Sequence, residues 1–221
     1  MASSYRGLPT LNEEFRAWRA GHRHVAGVDE AGRGPMAGPV VAAAVILDPQ
    51  FAAVWWSELR DSKQLPARRR ERLARGLRES AAFGIGAASH EEIDGDGLLE
   101  ATRQAMLRAL AALPCHPDLL LIDAVRLPGD DGWAQRSIIH GDALVLSVAA
   151  ASVVAKVERD RLMDEYDGSY PLYGFSRNRG YCTPGHLRAL EEHGPCPIHR
   201  RSFAPVRAFL DGRQLPLDEA P

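Results

Sequence analysis

Residues 25–35 read Val-Ala-Gly-Val-Asp-Glu-Ala-Gly-Arg-Gly-Pro. A short apolar run delivers two adjacent carboxylates, Asp29 and Glu30, into a loop with a glycine on either side of Arg33. That combination is the chemistry of a metal site beside a phosphate. Hard divalent cations such as Mg2+ take one or two carboxylates and complete their shell with water and phosphate oxygen. The same residues also suit a strand ending in a polar turn. Asp123 closes a second apolar run, Asp-Leu-Leu-Leu-Ile-Asp at 118–123. Both acids therefore stand at the C-terminal ends of strands, the edge where open α/β sheets bind ligands. On neighbouring strands they would lie about 4.8 Å apart.

Asp142 follows Gly141 at the start of a helical stretch, where a helix N-cap and a metal ligand are equally natural roles. Asp160 competes for the same place. In one continuous helix over 142–166 the two acids would be about 27 Å apart, whereas paired catalytic ions are ~3.5–4 Å apart. Asp142 is thus the expected fourth acid, and Asp160, between Arg159 and Arg161, an expected surface ion pair. Glu30 adds a geometric demand. Consecutive strand residues face opposite ways, so a site shared with Asp29 predicts that the strand breaks at Glu30, with Gly32 and Gly34 supplying the freedom.

The elements that position these residues alternate. Strands are predicted over 25–29, 39–47, 83–89, 118–123 and 137–140, and helices over 66–83, 97–113, 142–166 and 184–193. The segment 39–47 is apolar without alternation, as for a strand buried on both faces. Thr183 and Gly194 bracket the last helix as N-cap and C-terminal stop. An amphipathic stretch around Phe15 and Trp18 is expected to lie on the body. The pattern is α/β with a mixed sheet flanked by helices. The chain divides into an N-terminal extension (1–24), a catalytic domain (25–168) and a small helical C-terminal lobe (169–221).

Composition narrows the class. Apolar residues make up 45% of the 221, ample for a core, and the net charge is −2, so no global basic field announces a nucleic-acid binder. No apolar run reaches the ~18 residues of a membrane span. Cys115, Cys182 and Cys196 are an odd number without paired spacing, which fits a reduced cytoplasmic setting. Cys196 and His199 have half the spacing of a zinc site and lack a second pair, so zinc is not expected. The arginines of 68–78 read equally as a solvated helix face or a phosphate-tracking stripe. Of 27 basic residues only Lys63 and Lys156 are lysine, compact point charges that a planar guanidinium does not replace at a tight site.

Six segments, in order, resemble the type 2 ribonucleases H, bacterial ribonuclease HII in particular. They are Asp-Glu-Ala-Gly-Arg-Gly-Pro (29–35), Asp-Ser-Lys-Gln-Leu (61–65), Leu-Ile-Asp (121–123), Gly-Asp (141–142), Ala-Ala-Ala-Ser-Val-Val-Ala-Lys-Val-Glu-Arg-Asp (149–160) and Gly-Tyr-Cys-Thr-Pro-Gly-His (180–186). Both lysines fall inside them. The resemblance implies a ribonuclease H-like fold and an endonuclease that cuts RNA in RNA–DNA hybrids and incises 5′ to single ribonucleotides embedded in duplex DNA. It implies two Mg2+ or Mn2+ ions held by Asp29, Glu30, Asp123 and Asp142, acting by in-line displacement. It maps a recognition loop onto Gly32, Arg33 and Gly34, and a substrate-reading tyrosine onto Tyr181. Lys63 and Lys156 are expected to neutralise phosphates, and a monomer without membrane attachment is expected. The chain departs from the family pattern at Ala124, where many members have glycine, and at Cys182, where a small residue is common.

Overall fold

The computed structural model describes residues 8–48, 54–129 and 133–213. They form two compact units that interleave along the chain, whereas the sequence reading cut it at 24 and 168. The first comprises the described residues up to Ala31, Val41–Ala87 and Arg103–Val157; the second comprises Gly32–Val40, Ala88–Thr102 and the described residues from Glu158 onward.

Five strands build one mixed sheet: β1 (Val25–Ala31), β2 (Val40–Ile46), β3 (Ala82–Ala88), β4 (Leu119–Asp123) and β5 (Ala134–Ile138), in the order β3-β2-β1-β4-β5. β1 runs antiparallel to β2 and parallel to β4, which runs parallel to β5. Every residue of β2 is buried, as its unbroken apolar sequence predicts. The core of the first unit packs Ala43 and Val45 of β2 with Leu73 and Leu77 of helix α2 (Ala67–Ser80). Ala149, Val153 and Val154 of the long helix Leu146–Ser169 complete it. Gly27 lets that helix press on β1: a Cβ there would lie 2.2 Å from the Ser147 carbonyl carbon, so any side chain at 27 would push the helix off the strand that carries Asp29.

The N-terminal residues do more than lie on the body. Helix α1 (Asn12–Arg19) buries Ala17 against Val25, Leu119 and Val148. Upstream of it, the Thr10 N–H donates to the Leu144 carbonyl at 3.0 Å, and the Leu146 N–H donates to the Thr10 carbonyl at 3.0 Å. The Ser147 N–H donates to buried Glu14 at 2.8 Å, satisfying one of the orphan donors of a helix start. These bonds take over where the predicted 142–166 helix fails. The structure has two helices there, a short turn Gly141–Leu144 and the long Leu146–Ser169, parted by Val145 in extended conformation at φ −117°, ψ 124°. β-branched Val tolerates that conformation well, and the expectation of one continuous helix is corrected.

A second correction concerns β1. It does not break at Glu30: pairing with β2 continues through Glu30–Ala42 and Ala31–Val41, and the first left-handed residue is Gly32 at φ 99°. The ladder hydrogen bonds to an apolar, fully buried partner strand hold the chain extended two residues longer than the acid pair suggested.

In the second unit, Ala37, Met163, Tyr173, Phe175 and Ile198 form one cluster, and Met36, Leu187, Leu190 and Val206 another. Thr183 caps the helix Pro184–His193, accepting from the His186 N–H at 3.3 Å, and Gly194 ends it. The apolar patch at 206–210 is helical as well, within Ala204–Leu210. A helix at His90–Asp96, closed by a Ser89–Glu92 capping box, escaped the sequence reading.

Candidate active site

The register sets Val28 opposite Ile122, so the next residues, Asp29 and Asp123, lie side by side on adjacent parallel strands. Asp123 ends β4, and Asp29 stands two residues before the end of β1, not, as expected, at its end. Asp29 is wholly buried, while Glu30 and Asp123 are half-buried. The Glu30 N–H donates to Asp29 Oδ1 at 2.8 Å. The Gly141 N–H donates to Asp123 Oδ1 at 2.8 Å, which fastens the turn bearing Asp142 to the end of β4. Asp142 is not the N-cap: that place belongs to His140, in left-handed conformation with no capping side-chain bond. The alternative structural role for Asp142 is thereby removed.

The electrostatics identify the four as neighbours. Burial first, then the charges of Glu30, Asp123 and Asp142, push the Asp29 carboxyl well above the usual carboxylate range, against a hydrogen bond from Ser152. Asp142 is pushed up to about 6 by burial and by the charges of Asp61 and Asp123, with the Lys63 ammonium opposing. Lys63 follows Asp61, whose carboxylate accepts the Lys63 N–H at 2.9 Å; Arg70 braces this turn by donating to the Ser62 and Leu65 carbonyls. Lys156 is half-buried on the long helix. Asp160 belongs to the second unit and pairs with Arg179 at 3.8 Å, the ion-pair role expected of it. Arg69 and Arg72 of α2 pair with Glu58, and Arg68 and Arg75 face solvent.

The donor set is all carboxylate oxygen, which suits a hard divalent cation, and a cation relieves the repulsion that raises Asp29 and Asp142. Among the described residues no group of three or more His, Cys, Asp or Glu side chains is already arranged to hold a metal ion.

Gly32, Arg33, Gly34 and Tyr181 fall together in the second unit. Arg33 and Gly34 are exposed, and Tyr181 is 42% exposed. A Cβ on Gly34 would stand 3.6 Å from Tyr181 Cε1. Behind Tyr181 lies a relay that sequence reasoning saw only as Cys196 and His199. The Tyr181 carbonyl pairs with His186 Nδ1 at 2.8 Å, which makes that nitrogen the donor. His186 Nε2 then accepts from His199 Nε2 at 3.1 Å, leaving His199 Nδ1 to accept the Cys196 N–H at 3.0 Å. Burial brings both imidazoles down to about 4 and Cys196 up to about 11, so the relay is neutral. Cys196 and His199 are engaged with each other, and His199 with His186, which in turn holds the Tyr181 carbonyl.

A mixed sheet with carboxylates side by side on two adjacent parallel strands and on a following helical turn is the arrangement of a ribonuclease H-type hydrolase. The family model for ribonuclease HII matches residues 26–206. The ribonuclease HII of Desulfitobacterium hafniense is 52% identical over 202 residues, covering 91% of this chain and 76% of its own. Among solved structures, ribonuclease H2 from Pyrococcus horikoshii OT3 superposes with a TM-score of 0.74 at 28% identity, over 86% of this chain and 98% of that one. Bst-RNase HIII in complex with Mn2+ shares the fold, with a TM-score of 0.65 at 18% identity over 90% of this chain and 72% of its own. The chain belongs to the ribonuclease HII family. It is accordingly a metal-dependent ribonuclease H of type 2, acting on RNA–DNA hybrids with a divalent cation. No described helix is long and apolar enough to cross a membrane.

Proposed function

We propose that the protein, besides cutting RNA within hybrids, incises 5′ to single ribonucleotides in duplex DNA and leaves 5′-phosphate and 3′-hydroxyl ends. Asp29, Glu30, Asp123 and Asp142 hold two Mn2+ or Mg2+ ions. The observation that carries this reading is the crowding of four carboxylates, two of them raised by burial and mutual repulsion. When bound, the ions supply an activated water and neutralise the charge developing on the departing 3′-oxygen. Asp29 and Asp123, on paired strands, are the fixed ligands. Asp142, on a four-residue turn, is the adjustable one. Lys63 and Lys156 offset phosphate charge.

Selection rests on the 2′-hydroxyl, the group that tells RNA from DNA at a site. Main-chain groups of Gly32, Arg33 and Gly34 hydrogen-bond it, and the exposed ring of Tyr181 stacks on the following deoxyribose, favouring an RNA-to-DNA junction. The protein works as a cytoplasmic monomer in ribonucleotide removal. Incubation with Mn2+ and a duplex carrying one ribonucleotide tests the reading. Incision 5′ to the ribonucleotide supports it, and equal cutting of an all-deoxy duplex would instead mark a general metal-dependent nuclease of the same fold.

A further inference from the structure

Arg159 and Arg200 are both wholly buried. Buried charges are rare unless paired, yet the six hydrogen bonds of these two guanidinium groups all end on main-chain carbonyls. Arg200 donates from Nε to Gly38 at 2.9 Å, from Nη1 to Arg33 at 3.1 Å and from Nη2 to Gly32 at 2.6 Å. Arg159 donates from Nε to Pro39 at 3.1 Å, from Nη2 to Ala37 at 3.2 Å and from Nη1 to Arg179 at 2.9 Å. Two side chains thus hold the carbonyls of five residues between Gly32 and Pro39. The Arg200 N–H adds a bond to the Met36 carbonyl at 2.9 Å, and its guanidinium lies 4.9 Å over the Phe203 ring. Gly32 is where Arg159 passes: a Cβ there would be 2.1 Å from Arg159 Nε.

Peptide geometry turns this clamp into a recognition device. A trans peptide holds its C=O and the following N–H on opposite sides. With the carbonyls of Gly32 and Arg33 drawn to Arg200, the N–H groups of Arg33 and Gly34 point away from it. Two consecutive donors aimed the same way are suited to an electronegative oxygen.

We propose that Arg200, backed by Arg159, is a positioning residue for sugar selection, holding two carbonyls inward so that the Arg33 and Gly34 amides face the ribose 2′-hydroxyl. The inference rests on reading 32–34 as the ribonucleotide sensor. A planar guanidinium reaches the Gly38, Arg33 and Gly32 carbonyls from three separate nitrogens; an ammonium offers a single nitrogen without that fixed fork, and a carbonyl it fails to reach is left buried and unsatisfied.

The test measures binding of the full chain, in Ca2+, to a duplex with one ribonucleotide and to its all-deoxy counterpart. For Arg200→Lys the ratio of the two affinities falls about tenfold, the worth of one to two hydrogen bonds. A uniform fall of both affinities means a merely structural role and overturns the proposal. Gly34→Pro, which deletes the amide itself, separates the two layers. If Gly34→Pro loses the ratio while Arg200→Lys keeps it, this inference fails alone. If Gly34→Pro keeps the ratio, the sensor reading fails and the inference with it. Should Arg200→Lys not fold, the 15N spectrum of the unaltered protein decides. The Arg33 and Gly34 amides shift with the ribonucleotide duplex and not with the all-deoxy one; equal shifts overturn the proposal.

Discussion

In the first unit, negative side chains are gathered at a sheet edge where burial and mutual repulsion raise Asp29 and Asp142. In the second, two positive side chains are buried whole, and what they present is backbone. The acid cluster is under-neutralised and suited to receive cations. The loop's carbonyls are satisfied from within and hold its shape; burial brings Arg159 to about 10 and Arg200 to about 9, so both stay protonated at neutral pH. The contrast separates two kinds of sensitivity. Cutting should depend on side-chain charge, and choosing should depend on main-chain geometry. A substitution that keeps shape and removes charge then strikes the first region, and one that keeps charge and alters shape strikes the second.

The largest expected effect follows from charge. Asp142→Asn keeps the outline of the side chain and should lower Mn2+-dependent cleavage on the order of 10³-fold, several kcal/mol at 1.36 kcal/mol per decade. Asp160→Asn, which removes a charge paired with Arg179 and away from the acid cluster, should stay within about threefold by the small worth of such pairs. Single-turnover rates decide, and the reverse ranking would break the comparison.

Acid should move the two regions in opposite senses when divalent metal is chelated. His186 and His199 sit at about 4 in the folded chain against 6.5 for a free ring. The unfolded chain therefore binds the protons that the folded one refuses, and stability present above pH 6.5 is lost as pH falls toward 4. At pH 5 the loss is about 2 kcal/mol for one ring, with less than double for the coupled pair. Asp142, raised to about 6 from 3.8, takes up its proton more readily when folded, so the first unit gains stability over the same interval. Native-state amide exchange should show protection falling in Pro184–His193 and rising in β1 between pH 7 and 5. Parallel changes in both would contradict the assignment.

The smallest effect concerns Ala124, directly after Asp123. It holds φ 48°, left-handed backbone that costs a non-glycine residue about 1–2 kcal/mol. Ala124→Gly should stabilise the protein by about 0.5–1 kcal/mol, the strain relieved less the added chain entropy. A higher urea midpoint at constant slope is the expected readout; no change would mean the strain is absorbed elsewhere.

This departure was legible in the sequence because glycine is the family residue there, and the backbone shows why. The strands bearing Asp29 and Asp123 were legible too, since apolar runs mark both, and Asp123 ends its strand as expected. The break at Val145 was not. It is made by Thr10, far away in sequence, and no local pattern around 142–166 encodes it. The course of β1 through Glu30 was misjudged for a related reason: the pairing with Val41 and Ala42 outweighs the local pull of Gly32. Arg159 and Arg200 were hidden by composition, two arginines among 27 basic residues, and only burial sets them apart. Likewise the spacing of Cys196 and His199 was visible, but His186, which gives the pair its partner, lies on another element.

The division of labour is tested most directly by measuring ribonucleotide selectivity in binding with the cleavage-deficient Asp142→Asn protein. If side-chain charge cuts and main-chain geometry chooses, Asp142→Asn still prefers a duplex with one ribonucleotide over the all-deoxy duplex by the same ratio as the unaltered protein, while cutting neither. Loss of that preference together with cleavage would contradict it, because selection would then depend on the acid cluster and not on the loop held by Arg200.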